Sequence, residues 1–313
     1  MGRLSSNGQK TEISDTETEE KGHTADALDT KAEEAEPENT KHRRGSEVLT
    51  QVYNKLHNHT KPILYDAGFG PGVFGLAPHR ITVFAGEAGV GKSSLAMACM
   101  FDALANHPDL RAAVANVEVS DEELMQREFS RQSGIPFNKI FHADLTPEED
   151  SLLAEVREQM QPVLERVTFL SEPFSPYCLE EGMRWAEADL LVVDYLQQLH
   201  RPNGMGPREA VEESMAGLRG LAKQGKCILA ISQVSRPQMG GGKRGLDGLK
   251  ESGQIGYDAT NVFTLKELKA QGGFSRVCLK HDKSRSGPRQ DLTLLWDAPI
   301  HDWKLSPNVK VAA

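Results

Sequence analysis

Gly86-Glu87-Ala88-Gly89-Val90-Gly91-Lys92-Ser93 carries the pattern G-x-x-x-x-G-K-S, the spacing of a phosphate-binding P-loop, and Ser94 follows it. Glycines permit backbone angles that leave successive N–H groups aimed at one point, where they can cradle phosphates. A lysine at Lys92 reaches β- and γ-phosphates, and a hydroxyl at Ser93 binds Mg²⁺. Three further residues stand where the same chemistry needs them. Leu190-Leu191-Val192-Val193-Asp194 is an apolar run ending in a carboxylate, suited to hold Mg²⁺ directly or through water. Glu118 closes another apolar run and is placed to polarise an attacking water, although by position alone it reads equally as a surface carboxylate. Ile228-Leu229-Ala230-Ile231-Ser232-Gln233 ends in an amide that can report a γ-phosphate or serve as a plain strand-end polar group.

These groups need a scaffold that brings them to one edge. Ile81 to Ala85 is expected to be a buried strand leading into the P-loop, and Ser94 to Met100 a helix leading out, with its positive end toward the anion. Strands are expected at Arg111 to Glu118, Arg166 to Leu170, Ala188 to Asp194 and Lys226 to Ser232, with a helix over Glu209 to Gln224. Ser120-Asp121-Glu122-Glu123 and Thr146-Pro147-Glu148-Glu149 read as capping boxes that start helices. Asn261 to Lys266, Arg276 to His281 and Asp291 to Trp296 are expected as later, partly antiparallel strands. Near-continuous apolar strands separated by helices predict an α/β fold with a mostly parallel central sheet covered on both faces.

The chain has 313 residues and a net charge of −9, which argues against a generally basic nucleic-acid coat but permits a locally basic channel. No apolar run approaches the ~20 residues of a membrane span, and the start lacks an apolar signal core. The four cysteines are far apart, so a disulfide framework or zinc site is not expected and a reducing cytoplasm fits. His57-Asn58-His59 lacks the further ligands a metal needs. Residues 1–45 hold seven basic and eleven acidic side chains with almost no large apolar ones, and are expected to be a disordered acidic tail. Ser46 is expected to cap a linker or docking helix within 46–60, whose Val48, Leu49, Val52, Tyr53 and Leu56 share a face that needs a cover, from its own domain or a neighbouring subunit. The remaining 61–313 would be the ATPase domain. Pro237 to Gly245, with Lys243 and Arg244, and Arg201 to Arg208 are glycine-bearing cationic loops without aromatics, suited to follow a phosphate backbone without stacking on bases.

Five motifs in order then resemble a known family. They are Val192-Val193-Asp194-Tyr195-Leu196-Gln197, Leu218-Arg219-Gly220-Leu221-Ala222-Lys223, Ile231-Ser232-Gln233-Val234-Ser235-Arg236, Leu249-Lys250-Glu251-Ser252-Gly253-Gln254-Ile255 and Lys283-Ser284-Arg285-Ser286-Gly287-Pro288. Behind a P-loop and a Glu-ending strand, they resemble the RecA-type C-terminal ATPase domain of DnaB-like replicative helicases, over roughly residues 65–305. The resemblance implies ATP and Mg²⁺ as cofactors, Glu118 as catalytic glutamate and Gln233 as γ-phosphate sensor. It implies that Lys283 and Arg285 reach the neighbouring subunit's nucleotide, Arg285 as an arginine finger. Lys250, Glu251 and Gly253 match a loop that follows single-stranded DNA, with a lysine where an arginine is common, which removes a bidentate phosphate clamp. Where replicative members carry a helical domain ahead of the motor, this chain has an acidic stretch and one short helix. The expectation is therefore a stand-alone, ring-forming, hexameric helicase or translocase of a phage, plasmid or other mobile element, cytoplasmic, with a loader or primase as possible partner. The alternative is a RecA-like accessory ATPase in repair, recombination or helicase loading that does not unwind.

Overall fold

The computed structural model of the protein describes residues 43–70, 73–199, 204–234, 253–271, 274–285 and 287–307. The acidic tail up to residue 42, the start of one cationic stretch at 201–203, and the segment 235–252 with Lys243, Arg244, Lys250 and Glu251 lie outside the described residues. Contacts divide the chain into Met1–Lys61 and Pro62–Ala313.

In the first unit, helix α1 spans Gly45–His57. It starts two residues earlier than a Ser46 cap implies. Arg44 is the N-cap, with its N–H donating to the Glu47 carboxylate at 3.2 Å, and Ser46 lies inside the helix, where its carbonyl accepts from the Thr50 hydroxyl. Val48, Leu49, Val52, Tyr53 and Leu56 are all exposed.

The second unit is built on a nine-stranded sheet. A two-residue ribbon, β1 (Tyr65–Asp66) with β2 (Gly75–Leu76), precedes it. The parallel part consists of β3 (Arg80–Gly86), β4 (Ala112–Asn116), β5 (Val167–Phe169), β6 (Leu190–Asp194), β7 (Cys227–Gln233) and the start of β8 (Asn261–Gln271). β9 (Phe274–Ser284), β10 (Leu292–Asp297) and β11 (Asp302–Leu305) extend it antiparallel, giving the order β11-β10-β9-β8-β3-β7-β6-β4-β5. The expected fold class is therefore observed, antiparallel C-terminal strands included.

Alternation along the central strands explains the layering. Side chains of a strand point to opposite faces in turn. Leu190 and Val192 of β6 and Leu229 and Ile231 of β7 enter one apolar core, with Leu95, Met100 and Leu104 of α2 (Lys92–Asn106) and Leu124 of α3 (Asp121–Ser133). Val156 and Met160 of α5 (Pro147–Leu164) complete that layer, α4 (Phe137–Phe141) being a short connection before it. Leu191, Val193, Ile228 and Ala230 enter the other core, with Leu179 and Met183 of α6 (Pro176–Trp185) and Val211, Met215 and Leu218 of α7 (Pro207–Lys223). The central strands β3, β6 and β7 are buried on both sides, which is why their sequences read as continuous apolar runs rather than alternating ones.

The helix starts are local decisions. Thr146 and Glu149 form the full reciprocal box at the start of α5, with Pro147 at its first position. Ser120 forms only half of one at α3. Its hydroxyl accepts from the Glu123 N–H at 3.0 Å, but the Glu123 carboxylate turns to Arg127 instead of back to Ser120. An acidic side chain one turn before an arginine has a charged partner as an alternative to the backbone. Pro207 and Arg208, expected in a loop, are the first turn of α7, where Arg208 pairs with Glu212 at 2.8 Å.

Candidate functional site: a phosphate cradle at the carboxyl edge of the sheet

β3 delivers the P-loop and α2 receives it. Gly89 and Gly91 adopt φ of 80° and 86°, the left-handed region where a side chain is strained. Gly91 is the N-cap of α2, no side chain caps that helix, and its first turn holds no acidic residue. The N–H groups at its start are thus left to an anion, as a phosphate site requires. Gly91 answers a second demand. A Cβ there would lie 2.6 Å from the Trp303 ring, which stacks on Trp296 with centroids 5.2 Å apart. The Trp303 indole N–H donates to the Ser94 hydroxyl at 3.0 Å, and that hydroxyl donates to the His301 carbonyl at 3.2 Å. The Ser94 hydroxyl is therefore engaged with the C-terminal strands, and any part Ser94 plays at a phosphate falls to its backbone. Burial pushes the His301 imidazole down to about 4, keeping it neutral beside Arg127.

The charged groups converge on this cradle. The Lys92 ammonium donates to the Glu87 carbonyl at 2.8 Å. Burial lowers its pKa, while Glu118 and Asp194 pull it back up. Asp194, at the end of β6, is buried, and desolvation raises its carboxyl to about 6, with the Glu118 charge adding to the rise. A hydrogen bond to Ser93 and the charges of Lys92 and Arg127 oppose that rise. Asp194 Oδ1 is buried without a hydrogen-bond partner. A hydroxyl and a partly unsatisfied carboxylate side by side are a hard-oxygen donor set that fits Mg²⁺.

Glu118 is positioned by its neighbours. β4 ends at Asn116, two residues earlier than expected. The Val117 N–H donates to the Asp194 carbonyl at 2.8 Å, which ties the exit of β4 to β6. The Asn116 side chain then accepts from the Glu118 N–H at 3.3 Å and donates to the Val119 carbonyl, setting the turn that carries the glutamate. Gln233 closes β7 directly beside Gly86 of the P-loop, its register partner in β3. The structure thus gathers Lys92, Ser93, Glu118 and Asp194, with Gln233 at the adjoining strand end.

Lys283 and Arg285 are engaged elsewhere. The Lys283 ammonium donates to the carbonyls of Gly256, Tyr257 and Ala259 at 2.7, 2.8 and 2.7 Å, all at the end of α8 (Gly253–Asp258) and just beyond it. Arg285 is exposed, donates to the Tyr257 carbonyl at 2.5 Å and lies over the Tyr257 ring at 5.8 Å. Asp258 of the same helix pairs with Arg219 of α7 at 2.6 Å. Gly253, expected in the DNA-following loop, is the first residue of α8. Asn116, Arg127, Trp296, Trp303 and His301 stand in no motif of the sequence. Each reaches the site through the fold, and no local pattern announces them.

Comparison with known proteins accords with this geometry. The family model of the DnaB-like helicase C terminal domain matches residues 71–304. The chain belongs to that family. Among curated proteins it is similar to a probable plasmid replicative DNA helicase of Chlamydia trachomatis, 26% identical over 234 residues, which are 72% of this chain and 50% of that protein. It is also similar to the replicative DNA helicase DnaB of Rhodothermus marinus, 27% identical over 215 residues, 62% of this chain and 22% of that protein. The chain thus spans half the length, or less, of these relatives. Among solved structures, an isolated ATPase domain superposes with a TM-score of 0.70 at 18% identity, covering 84% of this chain and 100% of that one. A DnaB-like replicative helicase described with its primase interactions gives 0.69 at 18%, covering 84% and 67%. At such identity these two likenesses establish the RecA-like fold.

Proposed function

We propose that the chain is an ATP-hydrolysing DNA helicase of replication, acting as a hexameric ring that moves along single-stranded DNA. The observation that carries this reading is the convergence of Lys92, Ser93, Glu118 and Asp194 on the P-loop of a DnaB-like domain. Backbone N–H groups of residues 86–94 and the Lys92 ammonium bind the triphosphate. The Ser93 hydroxyl and Asp194 would hold Mg²⁺, which would supply neutralising charge for the β- and γ-phosphates. Glu118 accepts the proton of the attacking water, and Gln233 registers loss of the γ-phosphate.

Arg285 completes the site in trans. A guanidinium stabilises charge as the γ-phosphate departs, and an exposed arginine held by one main-chain carbonyl and an aromatic face can exchange those contacts for a phosphate. DNA contact is assigned to Lys243, Arg244, Lys250, Glu251 and Gly253, with a primase or loader as the protein partner, since one similar structure is described by its primase interactions.

The test is the ATPase rate of assembled protein with and without single-stranded DNA at low salt, beside a fork-unwinding assay. Stimulated hydrolysis with strand separation is expected. An unstimulated rate in protein shown to be assembled would overturn the motor, and stimulation without separation would favour the accessory switch.

A further inference from the structure

The catalytic reading leaves Gln197 without a role, yet this side chain makes an unusual set of contacts. β6 and β7 run parallel and pair from Leu190 with Cys227 to Val193 with Ala230. After Asp194 the chain leaves the sheet and turns through a short 3-10 segment, Leu196–Gln198. β7 continues alone on that side through Ile231, Ser232 and Gln233, while its other side stays paired with β3 up to Gly86. The backbone groups of Gln233 that face the departed β6 would then lack a ladder partner.

Gln197 supplies one. Its carboxamide oxygen accepts from the Gln233 N–H at 3.3 Å, and its amide nitrogen donates to the Gln233 carbonyl at 3.0 Å. The same nitrogen donates to the hydroxyl of Ser232, which is fully buried, at 2.8 Å. A primary amide carries one acceptor and two donors, as a peptide group carries one of each. The side chain of Gln197 therefore stands in for the missing residue of β6. Leu196 and Leu199, buried at 1% and 4% exposure, anchor the segment on both sides, so Gln197 is presented by a fixed backbone.

The geometry points to Gln197 as a positioning residue for Gln233, linking the γ-phosphate sensor to the segment that leaves the metal-binding strand. Any shift of Gln233 when its phosphate contact is lost is handed through two backbone hydrogen bonds to residues 196–199. From there the chain runs on to 201–208, one of the two cationic stretches. This inference rests on the hydrolytic reading for its consequence, though not for its geometry.

Two measurements test it on the full-length assembled protein. The first is hydrogen exchange in Gln197→Leu, which keeps volume and removes all three hydrogen bonds. Exchange over 232–234 is expected to accelerate while the rest of β7 stays protected; unchanged exchange overturns the bracket whatever the activity. The second is a double-mutant cycle. Gln197→Leu is expected to lower kcat by about tenfold with KM for ATP within about twofold, because ground-state binding is untouched. Gln197→Leu combined with Gln233→Ala is expected to be no slower than Gln233→Ala alone. Additive losses, or a rise in KM alone, overturn the relay. A wild-type chain without hydrolysis would instead overturn the functional reading, leaving the exchange result to judge the bracket.

Discussion

The P-loop and the end of β9 both carry cations suited to a γ-phosphate, and the chain treats them in opposite ways. Lys92 is surrounded by Glu118, Asp194 and Ser93 in an arrangement one chain builds for itself. Lys283 and Arg285 donate to the carbonyl end of α8, where the helix leaves acceptors unpaired and favours positive charge. The two cations at β9 also differ from each other. An ammonium has three donors, and Lys283 places its nitrogen within 2.7–2.8 Å of three carbonyls. Arg285 is exposed and uses one of its five donors on Tyr257. The contrast teaches that the P-loop wall is organised by its own fold, whereas the exposed Arg285 at the end of β9 is held by a carbonyl and a ring, contacts that the proposed role in trans would exchange for a phosphate.

The largest effect should come from removing the finger. Arg285→Ala is expected to lower kcat of the assembled protein by about 10³–10⁵-fold while leaving nucleotide binding by a single chain intact. Mixing it with Glu118→Gln should restore part of the rate at mixed interfaces, read by phosphate release. No recovery despite proven co-assembly would erase the distinction between the two regions. Next, Glu118→Gln alone should cost about 10²–10⁴ in kcat with nucleotide still bound, since a proton acceptor is lost and no phosphate contact is. A fluorescent nucleotide titration separates the two terms.

pH should act on the P-loop side. Burial holds the Asp194 carboxyl at about 6, so below that value the proton competes with the cation, and above it the carboxylate is free to bind. Affinity for Mg²⁺-nucleotide is therefore expected to fall as pH drops below about 6, by at most tenfold per pH unit. Equilibrium binding across that range checks it, and Asp194→Asn should flatten the profile. The smallest effect sharpens the difference within β9. Lys283→Ala takes the ammonium from three carbonyls, of which only Tyr257 keeps another side-chain donor among the described residues, Arg285, and should destabilise the chain by about 1–3 kcal/mol. Arg285→Ala should leave the unfolding midpoint nearly unchanged. Equal shifts in denaturant melts would show that both cations are structural.

The elements were legible where one stretch of chain decides them. β3, β6 and β7 are near-continuous apolar runs, and Thr146 with Glu149 makes its cap within four residues. Local pattern and structure part where a distant or competing group intervenes. Glu123 leaves its box for Arg127, Arg208 joins α7, and β8 and β9 grow to eleven residues each because each is the other's partner. The four residues of β11 carry no strand signal of their own, yet its Trp303 backs Gly91.

The sequence by itself determined the nucleotide chemistry. A glycine-rich turn, a lysine, a hydroxyl and strand-ending carboxylates state their purpose through residue type and local spacing, because backbone angles and donor sets are local properties. The tertiary structure alone decided how those groups are held: Asn116 and Val117 aiming Glu118, the tryptophan pair behind Gly91, Gln197 completing the ladder beside Gln233, and Lys283 clasping α8. Those contacts join residues up to some two hundred positions apart in the chain. Their energies depend on burial and on which backbone groups the sheet leaves unpaired, and neither exists until the sheet has formed.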